Sequence, residues 1–210
     1  MMESLNRLRE VLKRKFPGEQ TSLLAAMLAS ASEKGIISYE EVDCDEETKR
    51  SLLLSAYKER LLLPVKTSKN LLSLAWQDRI LNAKPGETYE MPNVIRHPIN
   101  HAKETSEWKP ELAVKKYLEE IAEPDADKML TVFNEIRREI ISQKDPHTIV
   151  KITPHMIKQA AEKHGLKVNM NKLIVEFKGG GIINPHINNP NSTKERITYE
   201  VNPSLIKPRF

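Results

Sequence analysis

Residues 153–181, TPHMIKQAAEKHGLKVNMNKLIVEFKGGG, carry the clearest structural pattern in the chain. The stretch opens with Thr153 followed by Pro154, which is an N-cap residue before a proline at the first helical position. The apolar residues after it recur at helical spacing until Gly165, and glycine favours the end of a helix. We therefore predict that the stretch begins with a helix.

Two interpretations are open for the second segment of this stretch, residues 169–178. Apolar residues at helical spacing predict a helix that the glycines at 179–181 stop. The alternation of Leu173, Val175 and Phe177 also fits a strand. We take the helix as the prediction, because the glycine stop directly follows the segment. The glycines themselves lack the motifs of a phosphate-binding loop.

The segments on either side of this stretch predict short strands. Residues 148–152 are rich in β-branched side chains, and residues 182–187 and 196–201 flank the turn-rich sequence NNPNST. The phrases EFKGGGIINPHI and RITYEVNPSL resemble the end of a recognition helix and the wing of a winged helix-turn-helix protein. The resemblance implies an order of helix, helix and hairpin.

The N-terminal half repeats this order of predicted elements. Its predicted segments are helices at 3–16, 19–34 and 45–60, a short helix opened by a capping box of Ser38 and Glu41, and strands at 61–65 and 70–76. Residues 19–80 and 125–205 therefore resemble two winged-helix units. The resemblance is to an architecture and not to one family.

The predicted fold is mainly α with short β-hairpins, an α+β protein with two winged-helix-like units. The first unit covers residues 1–105 and ends in an extended connector, because residues 82–108 contain several prolines and a glycine. The second unit covers residues 106–210, where a helical pair at 111–122 and 125–142 precedes a basic winged-helix-like unit.

Charge is distributed unevenly between the two halves. The chain has a net charge of +4, yet residues 151–210 carry ten Lys and Arg against four acidic residues. Cationic side chains that neutralise phosphates supply most of the non-specific affinity for nucleic acids. The predicted DNA-contacting residues are basic side chains on or beside the two C-terminal helices and in the wing: Lys158, Lys163, Lys167, Lys172, Lys178, Lys194 and Arg196.

The corresponding N-terminal helix has a different chemistry. Residues 45–60 carry four acidic and four basic side chains, and three of the acids stand at the start. Such a helix is a poor contact for phosphates. The leucine-rich faces at 3–16 and 52–63 exceed the need of one small unit and favour a protein partner or a homodimer.

These observations predict a DNA-binding regulatory or chromatin-associated protein whose C-terminal unit contacts double-stranded DNA. The alternative is a protein-protein interaction adaptor built on winged-helix units, without nucleic-acid binding. An enzyme is a weaker third hypothesis, because no catalytic motif is present and Cys44 lies among acidic residues that disfavour a thiolate.

Metal sites, cofactors and membrane partners are not predicted. His97 and His101 have the spacing of a helical metal-binding pair, but Pro98 is expected to prevent a shared helix. The single cysteine indicates a reducing compartment, and the sequence has neither a signal peptide nor an apolar run of about 18 residues. The expected location is cytoplasmic.

Overall fold

The structure, a computed structural model, describes residues 2–18, 20–65, 76, 79, 81–142, 150–186 and 198–206. Helices dominate these residues, and the strands form two small antiparallel sheets of three strands each. The predicted α+β class is therefore confirmed.

The N-terminal half begins with two helices and closes with a sheet. Its elements are α1 (Met2–Lys15), α2 (Thr21–Lys34), β1 (Ile36–Ser38), a 3-10 turn (Tyr39–Glu41), α3 (Glu46–Lys58), β2 (Leu63–Pro64) and β3 (Thr88–Glu90). The helix predictions and the capping box of Ser38 and Glu41 are confirmed. The strand predicted at 70–76 falls on residues of which only Trp76 is described.

The C-terminal half adds further helices before it repeats this order. Its elements are α4 (Asn93–Thr105), α5 (Pro110–Glu120), α6 (Ala126–Ser142), β4 (Lys151–Ile152), α7 (Pro154–Lys163), α8 (Met170–Gly180), β5 (Ile183–His186), β6 (Thr198–Val201) and α9 (Pro203–Ile206). Thr153 caps α7 by accepting a hydrogen bond from the Met156 N–H, as predicted. The segment at 169–178 is a helix and not a strand.

One topology occurs twice in the chain. In each half a helix, a strand, two helical segments and two strands follow one another, and the last of these strands lies in the middle of its sheet. The central strands β3 and β6 both begin with the sequence Thr-Tyr-Glu. Tyr89 in β3 and Tyr199 in β6 also share their register, because each pairs with an isoleucine of the first strand and a proline of the second.

The segment predicted as an extended connector, residues 82–108, belongs instead to the ordered core. It contains the central strand β3 and the helix α4, which continues through Pro98. The buried face of α4 packs against α1, α2 and α5. This burial outweighs the hydrogen bond that an interior proline removes, since tertiary packing provides most of the stability of a helix in a protein.

The buried apolar side chains of both halves form one continuous cluster from Leu8 to Ile206. Most leucines of α1 and α3 lie inside this cluster, so intramolecular packing accounts for the leucine-rich faces that favoured a dimer. The division into two units at residue 105 stays a prediction. Among the described residues, no helix is long and apolar enough to cross a lipid bilayer.

Buried polar contacts join the C-terminal ends of α3 and α8. The Asn202 Nδ2 donates to the carbonyl oxygens of Arg60 at 3.3 Å and Gly181 at 3.1 Å. Arg60 and Gly181 are the left-handed residues after α3 and α8, with φ of 53° and 73°. The Arg60 guanidinium binds both oxygens of Glu200, at 3.0 and 3.4 Å, and both side chains are almost fully buried. These contacts fix the two halves relative to each other.

Candidate functional site

The predicted DNA contacts that the structure describes lie on or beside α7 and α8, which pack together and are joined by residues 164–169. Gly165 adopts the left-handed conformation in this turn, with φ of 63°. Asn169 ends the turn, and its Oδ1 accepts a hydrogen bond from the Lys172 N–H at 3.1 Å. This cap fixes the start of α8.

The C-terminal end of α8 is held against α5 and the start of α4. A Cβ at Gly180 would lie 2.5 Å from the Tyr117 ring, so α8 approaches α5 this closely only because glycine stands there. The Tyr117 hydroxyl donates to the Glu176 carbonyl at 3.0 Å. Gly181 then ends the helix beside Pro92. The predicted glycine stop is confirmed, although α8 continues to Gly180 before it ends.

The N-terminal half of α8 and the turn before it face solvent. Lys167 and Asn171 are exposed, and Val175 one turn further is 60% exposed. Leu173 and Phe177 are buried in the core. A recognition helix presents its N-terminal residues to the base edges in the major groove. The free end of α8 is therefore the end that such an interaction requires.

Lys163, one of the predicted DNA contacts, is bound to a buried carboxylate. Its Nζ donates to Glu135, whose side chain is fully buried in α6. The same carboxylate contacts His164 Nε2 at 2.9 Å and Arg138 Nη1 at 2.6 Å. The hydrogen bond from Lys163, followed by that of His164, lowers the pKa of Glu135 to about 2. Lys163 is therefore part of an internal ion network.

Lys172 and Lys158 also have acidic partners within the chain. Lys172 Nζ donates to Glu123 Oε1 at 2.7 Å, and the Glu123 side chain is almost fully buried. This hydrogen bond raises the pKa of Lys172 above its ordinary value. Lys158 lies 3.6 Å from Glu162 in an exposed pair, which contributes little to stability.

Four predicted contacts remain, and the structure describes two of them, Lys167 and Lys178. Lys167 is exposed and Lys178 is half-buried, and neither forms an ion pair with a described residue. Lys194 and Arg196 lie outside the described residues. No sequence pattern indicated Glu123 and Glu135 as partners, because they lie 49 and 28 residues away from Lys172 and Lys163 along the chain.

The equivalent helix in the N-terminal half, α3, presents acidic groups instead. Asp45 caps α3 through a hydrogen bond from the Thr48 N–H at 3.0 Å, and Glu46 and Glu47 are exposed in its first turn. Lys49 is buried with its Nζ 4.5 Å from the centre of the Tyr39 ring. The start of α3 therefore exposes carboxylates while the nearest lysine is buried.

The sequence predicts that Pro98 prevents a helix shared by His97 and His101, and this prediction is wrong. His97 and His101 lie on one face of α4, because the helix continues through Pro98. His97 Nε2 is 3.1 Å from Glu120 Oε2, and burial lowers the pKa of both histidines. Within the described part of the chain, no three His, Cys, Asp or Glu side chains group closely enough to hold a metal ion.

Comparison with known proteins gives one match. A protein-family model matches residues 6–208, which is nearly the whole chain. No curated protein and no solved structure matches it. The matched region includes both sheets, so the family is defined over both halves of the chain.

Proposed function

The chain therefore belongs to the family whose model covers residues 6–208, and we propose that it is a DNA-binding regulatory or chromatin-associated protein. The observation that carries this proposal is the exposed N-terminal half of α8, where Lys167 and Asn171 face solvent while the other end is held by Tyr117. A recognition helix needs this combination of an exposed start and a fixed end, because its position must be set before it reads bases.

The repeated topology supports a tandem winged-helix architecture. In both halves the first, third and second strands lie side by side, and two helical segments connect the first strand to the second. This is the order of elements in a winged helix-turn-helix. In this proposal α8 is the recognition helix, and the connection from β5 to β6, which carries Lys194 and Arg196, is the wing.

The contacts divide between bases and phosphates. Asn171 carries an amide that can both donate and accept, which is the pairing chemistry that asparagine uses with adenine in the major groove. Lys167 precedes the helix and is placed to neutralise a backbone phosphate. Lys194 and Arg196 supply further phosphate contacts from the wing.

The internal ion pairs reduce the number of lysine side chains that are available to bind DNA phosphates. Lys163 and Lys172 each hold a buried carboxylate, so DNA has to compete with Glu135 or Glu123 for them. We expect a modest non-specific affinity with a small dependence on salt, because that dependence grows with the number of phosphates neutralised.

The test is fluorescence anisotropy with a labelled random-sequence duplex at several salt concentrations. Lys167→Ala is expected to weaken binding and to reduce the magnitude of the slope of log K against log salt by about one. Asn171→Ala is expected to reduce the preference among sequences selected from a random pool. Arg50→Ala, an exposed cation on α3, is the matched control and should change neither. Absence of binding at low salt, or loss of binding in Arg50→Ala only, would contradict the proposal.

A protein-interaction adaptor is the second candidate, and one observation favours it. The exposed face of α8 includes Val175 at 60% exposure, with the half-buried Ile174 beside it. An apolar exposed face is more typical of a protein contact than of a helix that reads DNA. In this case Val175→Asp would abolish partner binding, whereas Lys167→Ala would leave it unchanged.

The proposal also assigns a role to the N-terminal half and a location to the protein. Because the start of α3 is acidic, the N-terminal half holds a protein partner, and the C-terminal half binds DNA. A cytoplasmic, non-catalytic protein is part of the proposal, on the basis of its single cysteine and the high pKa of the Cys44 thiol, which burial raises.

A further inference from the structure

A cavity of about 370 Å³ lies where the two halves meet. Its walls come from the end of β3 and the start of α4, from the end of α8, and from Trp76 and Arg79. The volume lies within the range of small-molecule sites. The charged groups that line it among the described residues are two cations, Arg79 and Lys178, and one carboxylate, Glu90.

Arg79 provides the first observation that supports ligand binding in this cavity. The residue is 5% exposed, and its Nη1 donates to the Glu90 carboxylate. Its buried Nε has no hydrogen-bond partner among the residues that the structure describes. A buried guanidinium nitrogen without an acceptor is costly, and an anion held against the same guanidinium would offset part of that cost.

The start of α4 is the second sign. Pro92 stands at the N-cap position, where it offers no side-chain acceptor. The Ile95 N–H turns back to the Pro92 carbonyl at 2.8 Å, which leaves the N–H groups of Asn93 and Val94 without an intrahelical acceptor. Thirteen aligned residues give α4 a positive N-terminal end, where anions are stabilised.

The repeated topology shows how the chain satisfies the equivalent groups in the other half. Glu200 in β6 is the counterpart of Glu90 in β3, and it binds Arg60 through both oxygens. Asn202 is the counterpart of Pro92, and its Oδ1 accepts from the Ser204 N–H at 3.1 Å at the start of α9. The C-terminal copy is thus filled by its own side chains, whereas in the N-terminal copy no described side chain takes the place of Asn202 at the start of α4.

We propose that this cavity binds a small organic anion through a phosphate or carboxylate group. The anion is held by the Arg79 guanidinium and accepts a hydrogen bond from the Asn93 N–H at the start of α4, and Lys178 supplies a second positive charge. It thereby takes the place at α4 that the Asn202 side chain takes at α9. Leu63 and Met91 line the same cavity and favour a ligand whose remainder is apolar.

The proposed site goes beyond DNA binding and does not depend on it. Lys178, Gly179 and Gly181 belong to the end of α8, so a bound anion would contact the fixed end of the helix whose free end faces solvent. The test therefore uses the full chain without DNA.

The experiment compares thermal unfolding in inorganic phosphate with unfolding in sodium chloride of equal ionic strength, and phenyl phosphate serves as the probe with an apolar remainder. At ten times the dissociation constant, bound anion is expected to raise Tm by about 3–6 °C. Calorimetric titration should give one site per chain and tighter binding of phenyl phosphate than of phosphate.

Two variants and one control decide whether the effect comes from this cavity. Lys178→Ala should lose most of the phosphate-dependent rise in Tm, and Arg79→Lys should lose it in part because the charge stays but the guanidinium is removed. Lys116→Ala removes an exposed lysine of α5 away from the cavity and should retain the full rise. No phosphate-specific rise in the parent protein, or an equal rise in Lys178→Ala, would overturn the proposal.

Discussion

The two halves of this protein share a topology but carry different side chains at equivalent positions. The helix α3 ends at Arg60, which reaches across to Glu200 of the other half, whereas α8 ends at three glycines that let it lie directly on Tyr117. At their starts, α3 exposes carboxylates and α8 exposes Lys167 and Asn171. Equal strand order therefore does not make the two halves equivalent, because the side chains at the helix ends differ in charge and in the contacts that they form.

The largest loss of stability is expected when the left-handed residue after α3, Arg60, is replaced by glycine, the residue at the equivalent position after α8. Arg60→Gly relieves the left-handed backbone at φ of 53°, but it leaves Glu200 buried without a cation. Removing one partner of a buried ion pair costs about 3–5 kcal/mol, and urea unfolding followed by circular dichroism measures the loss.

Lys58→Gly is the control for the glycine itself, because Lys58 is exposed in the last turn of the same helix. It should cost about 1 kcal/mol. If Arg60→Gly costs no more than this control, the Arg60–Glu200 pair does not hold the two halves together.

The second-largest loss of stability is expected when a glycine at the end of α8 is given a side chain. Gly180→Ala places a Cβ against the Tyr117 ring at 2.5 Å, so α8 or α5 has to shift. Overpacking of this kind costs about 1–3 kcal/mol, although alanine is the better helix former. Gly18→Ala, where no atom lies within 4 Å of the added Cβ, should stay within about 0.5 kcal/mol of the parent protein in the same thermal melts. A stabilised Gly180→Ala would show that the close approach of α8 and α5 is wrong.

The buried carboxylate of the C-terminal half predicts a dependence on pH. The folded pKa of Glu135, about 2, lies below its ordinary value of 4.5. Its stabilising contribution is therefore complete above pH 4.5 and is lost as the pH falls towards 2. Thermal melts across this window should show a shallower dependence in Glu135→Gln than in the parent protein. Glu162→Gln, which alters only an exposed pair, should keep the parent profile.

The smallest effects come from the helix caps, where the two halves are most alike. Asp45→Ala at α3 and Asn169→Ala at α8 should each cost about 1 kcal/mol, since each removes one side-chain acceptor from a helix N-terminus. Their effects on DNA should differ, because only α8 is proposed to contact it. Equal losses of duplex affinity in anisotropy measurements would mean that the two halves share the role.

Local sequence signals were sufficient wherever a few neighbouring residues decide the conformation. Thr153 before Pro154, Asn169 at the start of α8 and Gly35 after α2 act over one helical turn, and each predicted boundary is found within about two residues. The order of elements from β4 to β6 followed from such signals, whereas β3 and α4 lie in the segment that the sequence predicted as an extended connector. The identical Thr-Tyr-Glu of β3 and β6 was visible in the sequence but gained its meaning only from their common register.

Only the tertiary structure decided which side chains meet across long stretches of chain. Pro98 indicated a break, yet burial of α4 among α1, α2 and α5 keeps the helix continuous. Lys163 and Lys172 looked like free cations, although folding brings the buried carboxylates of Glu135 and Glu123 to them. A sequence pattern records local preferences for conformation and solvent, whereas ion pairs, helix contacts and cavities depend on groups that only the packed core brings together.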